Sequence, residues 1–445
     1  MGRTISIAPA SSLTRPPERR TPTKLFVEVT SRCNLKCAMC PKQAPGGRDH
    51  DGDMDEAVFA RLAPAFPDTE TLVLNGIGES LLHPGLERMV AMARQHMPAS
   101  SSIGFQTNGQ LMTARRALSL VQAGVNKVCV SADAVAPDVF SKLRAGGKQS
   151  AVESALSYIH AAALEAGSPV NLGVEFVAMR DNVEQLPDLV RWASRHHVRF
   201  ILVTHMLPYA KEMAGQAAFE TSNNEARALY QEWKTRAAAE GVDIGDIGHY
   251  YNVFLRIHRS PEDERVVEWV LRMVNDAATR DITLHLARLA ASDDGLLQRV
   301  EASFSKAAEV ARELDIDLKL PASVPRKERH CDFIEDGSAF ISWDGDVHPC
   351  YFLWHKYHCF VGGSVKKVKP HSFGNLHERD ILEIWNGEPF GDFRSEVVRY
   401  EYPFCHDCNA ALCADVREED VEDCHLGTVP CAACMWCTGV FQCLQ

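Results

Sequence analysis

An α/β fold is what the sequence predicts: a parallel sheet of six strand–helix units, more than half of a TIM-like barrel, followed by a small cysteine-rich domain. Three observations predict it. Short β-branched runs alternate with longer helical patterns over the first half of the chain, the pattern changes at residue 331, and the cysteines concentrate at residues 33–40 and from 331 onward.

Residues 1–23 form a proline-rich leader, expected to be flexible, with Arg3, Arg15, Arg19 and Arg20 and no apolar stretch. Such a segment is neither a secretory signal nor a membrane span, and a cytoplasmic protein is expected. Strand candidates follow at 24–30, 71–75, 102–106, 127–131, 171–177 and 199–204. Between them, 57–63, 86–95, 113–123, 151–166 and 183–196 carry helical periodicity. Strands alternating with helices make a parallel sheet, so ligand groups should gather on the loops after the strand C-termini. Residues 24–209 are therefore read as the core. A mostly helical insertion or linker follows at 210–330, with 316–320 as a returning strand. From 331 to 445, short strands, turns and cysteines replace long apolar runs, and metal is expected to substitute there for a large core.

The 445 residues include 46% hydrophobic and 24% charged side chains, a globular composition that excludes disordered and fibrous classes. Lys plus Arg number 47 against 59 for Asp plus Glu, a formal charge of −12, so neither nucleic acid nor an anionic membrane is an expected partner.

Fifteen cysteines are unusual for a chain without an export signal, where thiols stay reduced and close-set cysteines are metal ligands sooner than disulfides. Cys33, Cys37 and Cys40 stand on the loop after the first strand. Three thiolates on one loop can hold three irons of a 4Fe-4S cluster and leave the remaining iron open to an outside ligand. The spacing alone also fits a zinc knuckle with a distant fourth ligand.

This loop resembles the signature of the radical S-adenosylmethionine (SAM) enzymes, and the resemblance extends over roughly 24–209. It implies a partial (βα)6 TIM-like barrel. It also implies a cluster whose open iron binds the amino and carboxylate groups of SAM, with reductive cleavage to a 5′-deoxyadenosyl radical that takes a hydrogen atom from substrate. Met39 stands where the family usually places an aromatic beside adenine. Gly76, Gly78 and Glu79 resemble the family's glycine-rich motif, where bare backbone lets the methionine amino group approach. Asn108 and Ser131, ending the third and fourth strands, face the cofactor on this reading. Arg144 resembles the arginine that pairs with the cofactor carboxylate, and Leu207 belongs to a segment that flanks adenine.

The last 115 residues hold eleven cysteines and resemble the SPASM extension, which binds auxiliary 4Fe-4S clusters. Cys331, Gly345 and Cys350 fit its opening spacing, followed by Cys405, Cys408, Cys413, Cys424, Cys431, Cys434 and Cys443 as candidate ligands. The later spacing departs from the family's. Two auxiliary clusters need about eight thiolates, so Cys129, Cys359 and Cys437 are set aside first as small buried hydrophobes. A zinc ribbon remains an alternative for this tail.

The ending over 423–443 is similar to metalloenzyme maturases of the superfamily, including those associated with tungsten-dependent oxidoreductases. The resemblance implies a maturase that modifies a peptide or protein, with an electron donor such as flavodoxin or ferredoxin. The alternatives are a SPASM oxidase or epimerase acting on a small molecule, and a non-catalytic iron–sulfur carrier or zinc-stabilised module. Sulfatase maturases of this family place an Asp base after the cysteine equivalent to Cys350. Here Tyr351 stands there, and a phenol with a pKa near about 10 is a poor base at neutral pH, so formylglycine formation is not carried over. Glu175 and His205, near strand ends, are the alternative proton handlers.

Overall fold

A computed structural model describes residues 19–44, 51–402, 404–405 and 430–444. Six strands, β1 (Lys24–Val27), β2 (Thr71–Leu74), β3 (Ser102–Thr107), β4 (Lys127–Ser131), β5 (Asn171–Ala178) and β6 (Phe200–His205), pair in parallel with their sequence neighbours. Helices such as Leu86–His96, Ala114–Ala123, Gln149–Ala166 and Leu186–Arg195 return the chain between them. Their ends follow from local chemistry. The Thr113 side chain accepts the Arg116 N–H at the start of Ala114–Ala123, and Gly124, at φ +114°, ends it in a conformation other residues avoid.

The expected linker over 210–330 divides in two. Helices Asn224–Ala239, Ile247–Phe254, Pro261–Thr279 and Leu286–Ala291 build a separate module around Leu229, Tyr230, Val270, Met273 and Leu289. Helix Asp294–Glu313 instead buries Leu296, Val300, Phe304 and Val310 in the barrel core and leads into β7 (Asp317–Lys319), parallel to β6. These residues form a seventh strand–helix unit, with the module inserted in its crossover.

On the far side of β1, β8 (Ser338–Ile341) joins the same sheet in parallel, and β9 (Val347–His348) pairs with β8 antiparallel. The order is β7-β6-β5-β4-β3-β2-β1-β8-β9. Phe340 and Ile341 have no exposed surface, and each such burial contributes about 1.5–3 kcal/mol. The start of the cysteine-rich region is thus held by apolar packing. A separate hairpin, β10 (Tyr357–Val361) and β11 (Ser364–Val368), completes it.

Alternation along the strands creates two faces. Leu25, Val27, Leu72, Leu74, Val128 and Val130 meet the outer helices. Phe26, Val73, Cys129 and Leu202 point inward and pack with Tyr351, Trp354 and Phe441 of the C-terminal region. That region fills the inner face of the barrel and ends beside the loops that follow the strands.

Candidate functional site

After β1 the chain continues through Glu28–Arg32 into the loop bearing Cys33, Cys37 and Cys40. Backbone hydrogen bonds hang this loop on the segment after helix Pro137–Leu143: Lys36 N–H donates to Ala145 O at 3.0 Å and Ala38 N–H to Leu143 O at 3.2 Å. All three thiols are free of disulfides and partly exposed. Burial raises the pKa of each, that of Cys40 to about 11, so the unliganded loop carries neutral thiols that release protons on binding metal. Among the described residues no three His, Cys, Asp or Glu side chains converge on a point that one metal ion would fill. Three partly exposed thiols on one loop fit a cluster, in which each sulfur takes its own iron, better than a single ion.

Asn75–Glu79, the loop after β2, docks on this segment. Glu79 N–H donates to Arg32 O at 2.7 Å. A Cβ at Gly78 would lie 2.1 Å from Thr30 O and 2.7 Å from Arg32 O, and one at Gly76 would lie 2.3 Å from Glu28 Cγ. Sequence reasoning assigns the glycines to the approach of a cofactor; here they are also what lets the two loops touch. The Glu79 carboxylate, buried, accepts from Thr107 Oγ1 at 2.6 Å, Asn108 N at 2.7 Å and Leu81 N at 3.2 Å, while burial raises its pKa. Asn108 Nδ2 then donates to Asn34 Oδ1 at 2.9 Å. Glu79 thereby ties the ends of β2 and β3 to the residue following Cys33.

Arg144 is buried, and its Nε donates to Asp133 Oδ2 at 2.7 Å, while Asp133 Oδ1 accepts the Val177 N–H at 2.9 Å. Burial works against the guanidinium charge, but Asp133 holds it in place, and the same positive charge counters the burial effect at Cys37. Removing one partner of a buried pair leaves the other uncompensated, so Arg144→Ala is expected to lower unfolding free energy by about 3–5 kcal/mol. A urea midpoint unchanged from the parent would contradict this. Ser131 and Gln106 hydrogen-bond Glu175, whose pKa burial raises. Met39 packs with Leu143, Met179 and Met206.

His205 does not face this group. It lies between Phe219 and Phe304, where burial pushes its pKa down to about 3 against a small opposing effect of the Ala322 backbone. It is a neutral core histidine. Leu207 lines a small apolar cavity with Phe352, Cys359, Trp436 and Phe441. Cys129 packs in the inward-facing apolar cluster.

In the C-terminal region, Cys331, Cys350, Cys431, Cys434 and Cys437 line one small apolar cavity with Phe333, Phe352, Tyr402 and Trp436. Burial raises the Cys350 pKa to about 12, and Cys331 and Cys431 are raised for the same reason. Cys437, set aside as a small buried hydrophobe, lines the same cavity, and its Sγ–H donates to Cys434 O at 3.7 Å. Cys443 lies apart and accepts Trp436 Nε1–H at 3.2 Å. Cys405 sits at the edge of the surrounding apolar cluster. Cys408, Cys413 and Cys424 lie outside the described residues. The donor set of this cavity, four or more thiols in an apolar shell, fits an iron–sulfur cluster.

Sequence reasoning missed Glu28, Asn34 and His355. Glu28 is fully buried, and its Oε1 accepts Ile77 N–H at 3.0 Å and lies 3.1 Å from His355 Nε2. The signal was present: an acidic residue inside the apolar run Leu25–Val29 has no reason to be there without a partner. No described helix is long and apolar enough to cross a membrane.

Known proteins resemble this chain over both its barrel and its cysteine-rich region. Residues 27–193 match the model of the radical SAM superfamily, and residues 331–409 match the SPASM model, an iron–sulfur cluster-binding domain. Over 94% of its length the chain is 29% identical to the tungsten-containing aldehyde ferredoxin oxidoreductase cofactor-modifying protein of Pyrococcus furiosus, covering 96% of that protein. The GTP 3′,8-cyclase of Streptomyces coelicolor is 35% identical over 190 residues, and there the chain spans 53% of the relative's length. The structure of Streptococcus suis SuiB bound to S-adenosylmethionine superposes with a TM-score of 0.47 at 15% identity, over 84% of this chain and 68% of that one. The matched domains imply iron–sulfur clusters and SAM binding, and with the cysteine loop, the docked glycine loop and the C-terminal thiol cavity they place the chain in the radical SAM superfamily, with a SPASM domain at its C-terminal end.

Proposed function

We propose that the chain reductively cleaves SAM and modifies a peptide or protein during maturation of a partner metalloenzyme. The observation that carries the first part is the Cys33/Cys37/Cys40 loop held against Asn75–Glu79, with Arg144 beside Cys37. Bound together at this place, cluster and SAM supply a hydrogen-atom abstractor. The chain's own residues bind and orient. The three thiols hold three irons, the Gly76–Glu79 backbone takes the methionine amino group, and Arg144, whose Nε already belongs to Asp133, offers its remaining nitrogens to the carboxylate. Met39, Asn108, Ser131 and Leu207 border the adenosine part. Glu175, partly buried with a raised pKa, is the group that exchanges a proton with substrate.

Cys331, Cys350, Cys431 and Cys434 hold one auxiliary cluster, with Cys437 as the fifth thiol of the cavity; the remaining C-terminal cysteines supply the second. Anaerobic reconstitution should then give about 12 irons per chain, against about four if the tail binds zinc. The electron donor on this reading is a flavodoxin or ferredoxin.

Support for maturation comes from the near full-length likeness to a protein named for modifying the cofactor of a tungsten enzyme. The same name supports a second reading, in which the modified substrate is a small-molecule cofactor. The test is incubation of reduced, reconstituted protein with SAM and the apoprotein of a tungsten-containing aldehyde oxidoreductase. Release of 5′-deoxyadenosine with a mass change in the polypeptide supports the first reading, and a change confined to the extracted cofactor supports the second. No 5′-deoxyadenosine under any condition refutes both.

A further inference from the structure

The segment that follows Cys350 reaches back to the glycine loop at two places. Tyr351 Oη–H donates to Asn75 Oδ1, and Asn75 Nδ2–H donates in turn to Gln106 Oε1. Four residues on, His355 Nε2 lies 3.1 Å from Glu28 Oε1, the same oxygen that accepts the Ile77 N–H. Glu28 Oε2 accepts Trp343 N–H at 3.4 Å, and the Glu28 side chain fills the space beside Gly76. The segment itself cannot easily shift. The Tyr351 ring packs against Phe26, Phe340 and Trp354 at centroid distances of 5.0–5.2 Å, and the His355 ring lies 4.7 Å from that of Trp354.

A fully buried carboxylate costs desolvation, so a polar contact to it is poor evidence for added stability; its use is to fix one geometry. The loop it fixes contains two glycines, which have more conformational freedom to lose than any other residues when a ligand orders them. A loop ordered beforehand binds more tightly because that entropy is not lost on binding.

We propose that His355 and Tyr351 are positioning residues for SAM: the C-terminal domain, through the segment that begins at the cluster ligand Cys350, sets the Asn75–Glu79 loop and thereby the affinity of the barrel for SAM. This rests on the reading that the loop holds the methionine part of SAM. His355 acts through Glu28 on the Ile77 N–H, and Tyr351 acts through Asn75 at the loop's first residue. Neither touches the reacting atoms.

The test measures equilibrium binding of SAM to the anaerobically reconstituted full chain, with iron content and steady-state kinetics on the same samples. His355→Ala and Tyr351→Phe should each raise the dissociation constant by about tenfold, since each removes one hydrogen bond on which the loop depends. The KM for SAM should rise with it while kcat at saturating SAM and iron content stay within about twofold of the parent. His355→Gln, which keeps an N–H donor, should restore binding to within about twofold. Should His355→Ala fail to retain iron, Tyr351→Phe, which differs from the parent by one hydroxyl, decides. Parental affinity in both His355→Ala and Tyr351→Phe overturns the proposal, and so does weaker binding that appears only in step with lost iron. If the parent itself binds no SAM, the proposed function fails first and this inference falls with it.

Discussion

Ala at Cys33, Cys37 and Cys40 together is expected to abolish release of 5′-deoxyadenosine and methionine from SAM while leaving a folded protein. The loop does not depend on its sulfurs. It is held by the Lys36 and Ala38 backbone bonds to Ala145 and Leu143, whereas the Cys33 sulfur adds long contacts with Leu35 N–H at 3.5 Å and Asn108 Nδ2 at 4.0 Å. The C-terminal thiols line a separate cavity, so the variant should keep about eight irons and a reducible 4Fe-4S signal. Iron analysis and chromatography of the products check both halves. Undiminished cleavage would remove the assignment of the catalytic loop, and bound zinc with negligible iron would make the tail a structural ribbon.

Gly78→Ala should be nearly as damaging although it removes no functional group. The added Cβ meets two backbone carbonyls, Thr30 O at 2.1 Å and Arg32 O at 2.7 Å, and neither can swing aside as a side chain would. Either the glycine loop lifts or the Cys33 segment moves. Overpacking of this kind costs about 1–3 kcal/mol, which appears as about 5- to 150-fold weaker SAM binding if the strain falls on the site. Gly215→Ala is the matched control: a Cβ there meets nothing within 4 Å, and its binding should equal the parent's. Equal affinity in Gly78→Ala would show that contact between the two loops is dispensable.

Much of this architecture could be read along the chain. Short β-branched, apolar runs locate β1 to β6, and the returning run at 316–320 locates β7, because a strand's burial pattern is written in consecutive residues. The cysteine loop was legible for the same reason, since three ligands within eight residues define a site without any knowledge of the rest. Tertiary structure decided what depends on distant partners. Helix Asp294–Glu313 looks like its neighbours in sequence, yet it packs on the barrel while they pack on one another. β8 extends the barrel sheet because the free edge of β1 offers unpaired backbone groups to a strand more than 300 residues away. Arg144 reads as a lone charge until Asp133 is placed 2.7 Å from it, and Cys437 reads as a spare thiol until the fold brings it to the cavity of Cys331 and Cys350. Glu28 and His355 are 327 positions apart, and what joins them is the packing of the C-terminal domain into the barrel. Local pattern determines which elements form, because it reflects the periodicity of burial. Which elements meet is set by hydrogen-bond partners and buried surfaces that are remote in sequence, and these settle how the glycine loop meets the cysteine loop and where the C-terminal thiols gather.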